Sequence, residues 1–133
     1  MTNSKQSESE IILELAKKRG ALQFGKFQLS AGGTSSYYFD GRIITLDPEA
    51  GYHVAKAILP ILKECDAQAI AGPTLGADPI VSSVSVVSHV EGHPVPGLIV
   101  RKEAKEHGGK RAIEGPMADL GENARIAVVD DAC

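Results

Sequence analysis

The chain has 133 residues, enough for one domain with a moderate hydrophobic core. Its hydrophobic fraction of 43% and charged fraction of 23% are typical of globular proteins, and a net charge of −3 argues against a general nucleic-acid or acidic-membrane binder. No apolar stretch approaches the roughly 20 residues of a membrane span, and the polar first residues lack the apolar core of a signal peptide. Two cysteines are too few for a disulfide framework. These features predict a cytoplasmic protein without nucleic-acid or membrane partners.

The first elements are predicted to be a helix and a short hairpin. Ser7 and Glu10 have the spacing of a capping box, and apolar residues then recur at helical spacing. Residues 22–29 alternate in polarity on both sides of Gly25 and Lys26, which predicts a hairpin with its turn at those two residues. Together these elements are expected to form a small hood that precedes the main sheet.

An aromatic strand is predicted next, after a loop at residues 31–36. It begins with Tyr37, Tyr38 and Phe39. Side chains alternate between the two faces of a strand, so at least one of the three is exposed or lines a pocket. Ordinary packing of the hood on the core explains these residues equally well.

The central part of the chain alternates helices and strands. Asp47 is predicted to cap a helix that has Pro48 at its first position. A strand at residues 67–71 then runs into a turn that contains Gly72 and Gly76, where the backbone could approach a ligand closely. Amide groups between a strand end and a helix start form a natural anion site, although many ordinary strand–helix turns have the same composition.

A cationic loop is predicted after the next strand, at residues 98–100. Five basic side chains and a histidine fall within residues 101–111: Arg101, Lys102, Lys105, His107, Lys110 and Arg111. One interpretation is a solvated surface loop, which charge runs usually are. The other is a cover that closes on a polyanion, and it is favoured because the rest of the chain is acidic.

The last predicted strand, at residues 126–129, runs directly into Asp130 and Asp131. Four apolar residues without alternation predict a strand that is buried on both faces, although the two acids could simply form a turn with a helix cap. Strands alternating with helices predict an α/β fold with a parallel sheet and right-handed crossovers. The turn, the cationic loop and the acids then meet at one rim. Such a rim suits a phosphorylated sugar, with the acids facing hydroxyls or Mg²⁺.

These residues resemble a known family. Residues 128–131, Val-Val-Asp-Asp, resemble the start of the phosphoribosyl pyrophosphate (PRPP) motif of type I phosphoribosyltransferases. Residues 101–108 resemble the mobile loop of orotate phosphoribosyltransferases, and residues 27–32 and 35–40 are similar to the orotate-side segment of that family. The resemblance implies a Rossmann-like parallel sheet flanked by helices, with a small N-terminal hood.

The resemblance also implies an activity: orotate and PRPP give orotidine 5′-monophosphate and pyrophosphate in UMP biosynthesis, with Mg²⁺ as cofactor. A homodimer that shares the mobile loop between subunits is implied as well. The pyrophosphate would be held by Arg101, Lys102, Lys105 and His107, of which Lys105 and His107 would be catalytic. The remaining PRPP contacts would come from Asp130, Asp131, Ala132 and Cys133, and Mg²⁺, carried mainly by PRPP, would lie near the two acids. Orotate would be bound by Tyr38 and Phe39.

The chain departs from the family pattern in two respects. Some members carry lysines where this chain has Ser30 and Gly76, so two potential anion contacts are missing. The chain also stops inside the PRPP motif. We therefore expect residues 1–133 to be a single incomplete domain, with a helix and hood at about 1–45 and a core at about 46–133, that is inactive by itself. The alternatives are a non-catalytic PRPP-sensing regulator, a phosphoribosyltransferase for another base, and a non-functional remnant.

Overall fold

The computed structural model describes residues 6–103 and 112–132. The elements in chain order are α1 (Glu8–Lys18), β1 (Leu22–Gln28), β2 (Thr34–Phe39), α2 (Gly41–Thr45), α3 (Pro48–Glu64), β3 (Ala69–Pro73), α4 (Asp78–Val90), β4 (Gly97–Val100), β5 (Ile113–Glu114) and β6 (Ile126–Val128). None of the helices in this part of the chain has the length and apolar character needed to cross a membrane.

The predicted starts of α1 and α3 are confirmed. The Ser7 hydroxyl accepts the Glu10 N–H at 3.2 Å, and the Asp47 carboxylate accepts the Ala50 N–H at 2.8 Å. Arg19 Nε, at the end of α1, lies 2.9 Å from Asp47 Oδ1 and so joins the two helices. The Ala50 hydrogen bond and then the Arg19 guanidinium hold the pKa of Asp47 below its ordinary value.

The hood is an antiparallel pair of strands, β1 and β2, but its turn is not where the sequence predicted it. The register shifts between Phe24 and Phe27, so the intervening glycine and lysine form a bulge inside β1. The chain reverses at residues 29–33 instead, where Gly32 and Gly33 have φ values of 97° and 86°. Two adjacent residues in the left-handed region supply the tight turn that residues 25 and 26 were expected to make. The predicted loop at residues 31–36 is therefore also too long, because β2 already begins at residue 34.

The main sheet has the strand order β5-β4-β3-β6. β3 is parallel to both β4 and β6, as predicted, whereas the short β5 is antiparallel to β4 and makes the sheet mixed. The central strand β3 is buried on both faces. Ile70 packs into the cluster formed with α3 and α4, and Ala69 and Ala71 pack with Leu98 on the other face.

Within the described residues, the strand predicted at residues 126–129 is covered on one face and not on both. Ala127 and Val129 pack against the α3–α4 cluster. Ile126 and Val128 alternate with them and point to the other face, where the Val128 side chain is 71% exposed. In the described residues β6 pairs with β3 alone and forms an edge of the sheet, so its second face has no layer over it.

Candidate functional site

Three segments leave the carboxyl ends of neighbouring parallel strands. The turn at residues 74–77 follows β3, Arg101 follows β4, and Asp130 and Asp131 come shortly after β6. Because β3 is paired in parallel with both of the other strands, the three segments emerge at the same edge of the sheet. This is the convergence that the sequence predicted.

Asp131 connects the segment after β6 with the turn after β3. A methyl group built on Gly76 would lie 2.5 Å from Asp131 Oδ1, so the carboxylate rests directly against the turn after β3. A methyl group built on Gly41, at the start of α2, would lie 3.8 Å from Asp131 Cβ. The side chain therefore lies between the hood and the β3–α4 turn. The neighbouring Asp130 accepts the Asp131 N–H through its own Oδ1 at 2.8 Å.

The turn after β3 is held by several internal hydrogen bonds. Thr74 N–H donates to the Val100 carbonyl at 2.9 Å, and Ala77 N–H donates to the Pro73 carbonyl at 3.2 Å. The Thr74 hydroxyl donates to Asp78 Oδ2 at 2.8 Å, while Asp78 Oδ1 is buried without a partner among the described residues. Carbonyl groups of the protein therefore already accept hydrogen bonds from some of the backbone N–H groups that were predicted to bind an anion. The pairing of Asp78 with Thr74 has no signal in the sequence.

Gly72 was predicted to lie in the turn but belongs to β3, which extends to Pro73, and both Gly72 and Gly76 are close to groups of the protein itself. A methyl group on Gly72 would meet the Ala77 side chain and would lie 2.5 Å from the Val129 carbonyl oxygen. The sequence predicted that Gly72 and Gly76 would let the backbone approach a ligand. In the structure Gly72 allows β3 to pack against the next helix and β6, and Gly76 makes room for Asp131.

Arg101 is anchored rather than free. Its Nη1 donates to Glu114 Oε2 at 3.0 Å, and its backbone N–H donates to the Ala112 carbonyl at 2.7 Å. Lys102 is exposed and directly follows it. The ion pair between Arg101 and Glu114 was not predicted from the sequence, because Glu114 lies on a two-residue strand, β5, that was not predicted either.

Several predicted site residues lie outside the described part of the chain. They are Lys105, His107 and Cys133. Ala132 is described and exposed. The cationic cover therefore stays a prediction for all of its residues beyond position 103.

The three aromatic residues of β2 are all about half exposed, with values of 53% for Tyr37, 47% for Tyr38 and 48% for Phe39. Phe39 lies beside Gly41, because its Cε1 would be 3.6 Å from a methyl group built there, and the Asp131 carbonyl oxygen would be 3.6 Å from the same methyl group. Tyr38 belongs to the opposite face of the strand, where its ring lies 5.8 Å from that of Phe27. Of the two predicted orotate contacts, Phe39 is the one that the fold brings near the acids.

A large groove lies at the opposite edge of the sheet. It has a volume of about 1360 Å³ and is bordered by Gln68, Val95 and Arg125, which precede the three parallel strands. Its charged lining includes the ion pair between Lys56 and Glu91. None of the predicted site residues that the structure describes lines this groove. The carboxyl edge is therefore the candidate site.

Metal binding by the protein alone has no support in residues 6–103 and 112–132, where no group of three His, Cys, Asp or Glu side chains could hold an ion. Asp130 and Asp131 nevertheless present carboxylate oxygens, the donor type that Mg²⁺ prefers. Mg²⁺ commonly takes one or two carboxylates together with substrate phosphates and water. The two acids fit that partial contribution.

No family model matches the chain, but individual proteins do. The orotate phosphoribosyltransferase of Nostoc sp. is 48% identical over 122 residues, which are 92% of this chain and 55% of the relative. The orotate phosphoribosyltransferase of Aquifex aeolicus is 43% identical over 126 residues, which are 93% of this chain and 67% of the relative. The chain thus spans about half to two thirds of the length of these curated relatives.

Solved structures agree with these relatives. The orotate phosphoribosyltransferase of Mycobacterium tuberculosis in complex with Fe(III) dicitrate has a TM-score of 0.74 and 32% identity, covering 94% of this chain and 67% of that one. The same protein in complex with PRPP has a TM-score of 0.67 and 26% identity, covering 94% and 64%.

Proposed function

The chain belongs to the orotate phosphoribosyltransferase family, and from that premise we propose that the protein transfers the 5-phosphoribosyl group of PRPP to orotate. The products are orotidine 5′-monophosphate and pyrophosphate, in pyrimidine biosynthesis. The observation that carries the proposal is the position of Asp131 at the carboxyl edge of the sheet, where its carboxylate lies against Gly76 and its backbone lies near Gly41, the residue that Phe39 also approaches. That edge combines carboxylates for a sugar with an aromatic face for a flat base.

The ribose of PRPP is proposed to be held by Asp130 and Asp131, with the backbone of Ala132 and Cys133 beside them. Ionised carboxylates only accept hydrogen bonds, and the ribose hydroxyls can donate them. Asp131 suits this function because its carboxylate has no hydrogen-bond or ion-pair partner within the described residues, although it is fixed in place by contact with the turn.

The pyrophosphate is proposed to be held by Arg101, Lys102, Lys105 and His107. As the bond from C1′ to pyrophosphate breaks, negative charge grows on the leaving group and positive charge grows on the sugar. Cations fixed around the pyrophosphate stabilise that transition state, and Lys105 and His107 are assigned this function. Arg101 can retain Glu114 and still bind an anion, because a guanidinium has five N–H donors.

Orotate is proposed to lie against the hood. Phe39 is the stronger candidate for contact with the ring, because it shares Gly41 as a neighbour with Asp131 and is 48% exposed. Tyr38 remains a proposed contact, but it would act from the face of β2 that it shares with Phe27. Mg²⁺, bound with PRPP near Asp130 and Asp131, would neutralise part of the pyrophosphate charge.

Three further properties are proposed on the same family basis. The protein is a homodimer that shares the cationic loop between subunits, and its mass in sedimentation equilibrium tests this. It works in the cytoplasm, which fractionation of cells that express the tagged full-length protein tests. The helix and hood at about residues 1–45 and the core at about 46–133 belong to one domain, which is supported by the ion pair between Arg19 and Asp47 and tested by a single unfolding transition.

The test of the activity is direct. The purified full-length gene product is incubated with PRPP, Mg²⁺ and one of orotate, adenine, hypoxanthine or uracil, and the nucleotide and pyrophosphate are quantified. Product with orotate alone supports the proposal, and product with another base would replace the substrate. Binding of PRPP without turnover would favour a PRPP-sensing regulator. The same assay on residues 1–133 tests the expectation that this part alone is inactive.

Lys105→Ala is the variant that addresses the mechanism. We expect kcat to fall by about 100-fold or more, the scale for one preorganised electrostatic group, with little change in orotate affinity. Lys63→Ala is the matched control, because Lys63 lies at the groove on the opposite edge of the sheet. Equal kcat values for the two variants would remove Lys105 from the mechanism.

A further inference from the structure

The pairing of β4 with β5 brings Arg101 and Glu114 together. Glu114 lies opposite Ile99 in the antiparallel register, and the Arg101 N–H donates to the Ala112 carbonyl at 2.7 Å, so both backbones are fixed. Arg101 comes two residues after Ile99, on the same face of the extended chain, which makes it a diagonal neighbour of Glu114 across the two strands. Their side chains meet there, with Nη1 3.0 Å from Oε2.

The contact holds the guanidinium of Arg101 without occupying it. The hydrogen bond to Glu114 engages one of the five N–H donors of the guanidinium, and no other side-chain hydrogen bond of Arg101 is found within the described residues. The two side chains are 35% and 36% exposed, so an anion from solution can reach them. An anion at the carboxyl edge can therefore bind Arg101 while Glu114 keeps its hydrogen bond.

Glu114 has two opposite effects on an anion that binds Arg101. It is not needed for the positive charge, because a guanidinium stays protonated in proteins. Its own negative charge repels the anion, but exposed charges interact weakly in water and salt. Its hydrogen bond orders a long side chain in advance, and ordering one such side chain on binding costs about twofold to tenfold in affinity. The ordering effect is the larger of the two.

We propose that Glu114 is a positioning residue, which through its hydrogen bond to Nη1 holds the Arg101 guanidinium in the orientation that binds the pyrophosphate of PRPP. The part that concerns PRPP rests on the proposed function. The hold on Arg101 does not, and it can be tested without any ligand.

The first experiment tests the hold. Crystal structures of the full-length parent, Glu114→Ala and Glu91→Ala are compared without ligand. Glu91 is the matched control, because it pairs with Lys56 at the groove on the opposite edge, where the two side chains are 31% and 39% exposed. In Glu114→Ala the Arg101 guanidinium should lie more than about 2 Å from its parental position or occupy several rotamers, while β4 and β5 stay paired. A guanidinium that keeps its parental position overturns the proposal.

The second experiment tests the consequence for PRPP by steady-state kinetics with orotate and Mg²⁺. Glu114→Ala should raise KM for PRPP by about threefold to tenfold and change kcat by less than about twofold, because Arg101 would bind pyrophosphate before and during the reaction. Glu91→Ala should change neither constant. Glu114→Gln keeps an acceptor oxygen without the charge, and its KM should stay within about twofold of the parent's. Equal KM values for the Gln and Ala variants, or a KM for Glu114→Ala at or below the parent's, overturn the proposal.

A double-mutant cycle tests whether Glu114 acts through Arg101. In an Arg101→Ala background, Glu114→Ala should change KM for PRPP by less than about twofold, because no guanidinium remains to be held. An equal rise in both backgrounds would mean that Glu114 acts through another part of the structure, and the positioning proposal would fail.

The outcomes also separate this proposal from the proposed function. If the parent does not turn over PRPP and orotate, the proposed function fails, and the crystal structures still decide whether Glu114 holds Arg101. If the parent is active and Glu114→Ala has the parental KM for PRPP, the positioning proposal fails and the proposed function stands.

Discussion

Ser88 joins the last turn of α4 to the segment that leads into β4, and its replacement by alanine should destabilise the protein measurably. The residue is fully buried. Its hydroxyl donates to the Ser85 carbonyl at 2.7 Å and accepts the Val95 N–H at 2.8 Å. Ser88→Ala leaves the N–H of the half-buried Val95 without this acceptor. Leaving one such group unsatisfied costs about 1–3 kcal/mol.

The magnitude can be read from urea denaturation followed by circular dichroism. With a slope of about 1–3 kcal/mol per molar urea, a loss of about 2 kcal/mol lowers the midpoint by roughly 1 M. Ser82→Ala on the same helix is the control, because Ser82 is exposed and its replacement changes only helix propensity, by a few tenths of a kcal/mol. If the two variants unfold at midpoints within about 0.2 M of each other, the buried hydrogen bond is not the source of stability inferred here.

Two further predictions follow from the packing. The pKa of Asp47 is below its ordinary value of 3.8 when folded, so the stability from its charge is present above the unfolded pKa and is lost as the pH falls through the folded pKa. Asp47→Asn keeps a cap acceptor but not the charge, so its deficit in urea midpoint against the parent should be full near neutral pH and shrink in acid; a constant deficit would contradict this. Gly72→Ala should cost about 1–3 kcal/mol or more, because the methyl group would lie 2.5 Å from the Val129 carbonyl oxygen. Gly121→Ala is its control, because a methyl group on Gly121 meets nothing within 4 Å, and equal midpoints for the two variants would contradict this.

The sequence determined the features that depend on neighbours within a few residues. The caps at Ser7 and Asp47 bond to backbone groups three positions away, so their spacing alone identified the starts of α1 and α3. The alternation of helices and strands predicted the parallel arrangement of β3, β4 and β6, because parallel strands need such crossovers. From that topology followed the meeting of three loops at one edge of the sheet.

Only the tertiary structure decided the features that depend on distant segments. The turn of the hood moved to Gly32 and Gly33 because the register with β2 absorbed the earlier glycine as a bulge. In the described residues β6 is covered on one face only. Whether a strand is covered depends on the elements that surround it, which cannot be read from the apolar residues of the strand itself.

The same reason applies at the candidate site. Asp131 was singled out by its position after a strand, but its contact with Gly76, 55 positions earlier in the chain, depends on the parallel pairing of β3 and β6. A glycine that is needed for space has the same letter in the sequence as one needed for a turn. The two are distinguished only by the fold, which shows whether another group occupies the space where a side chain would lie.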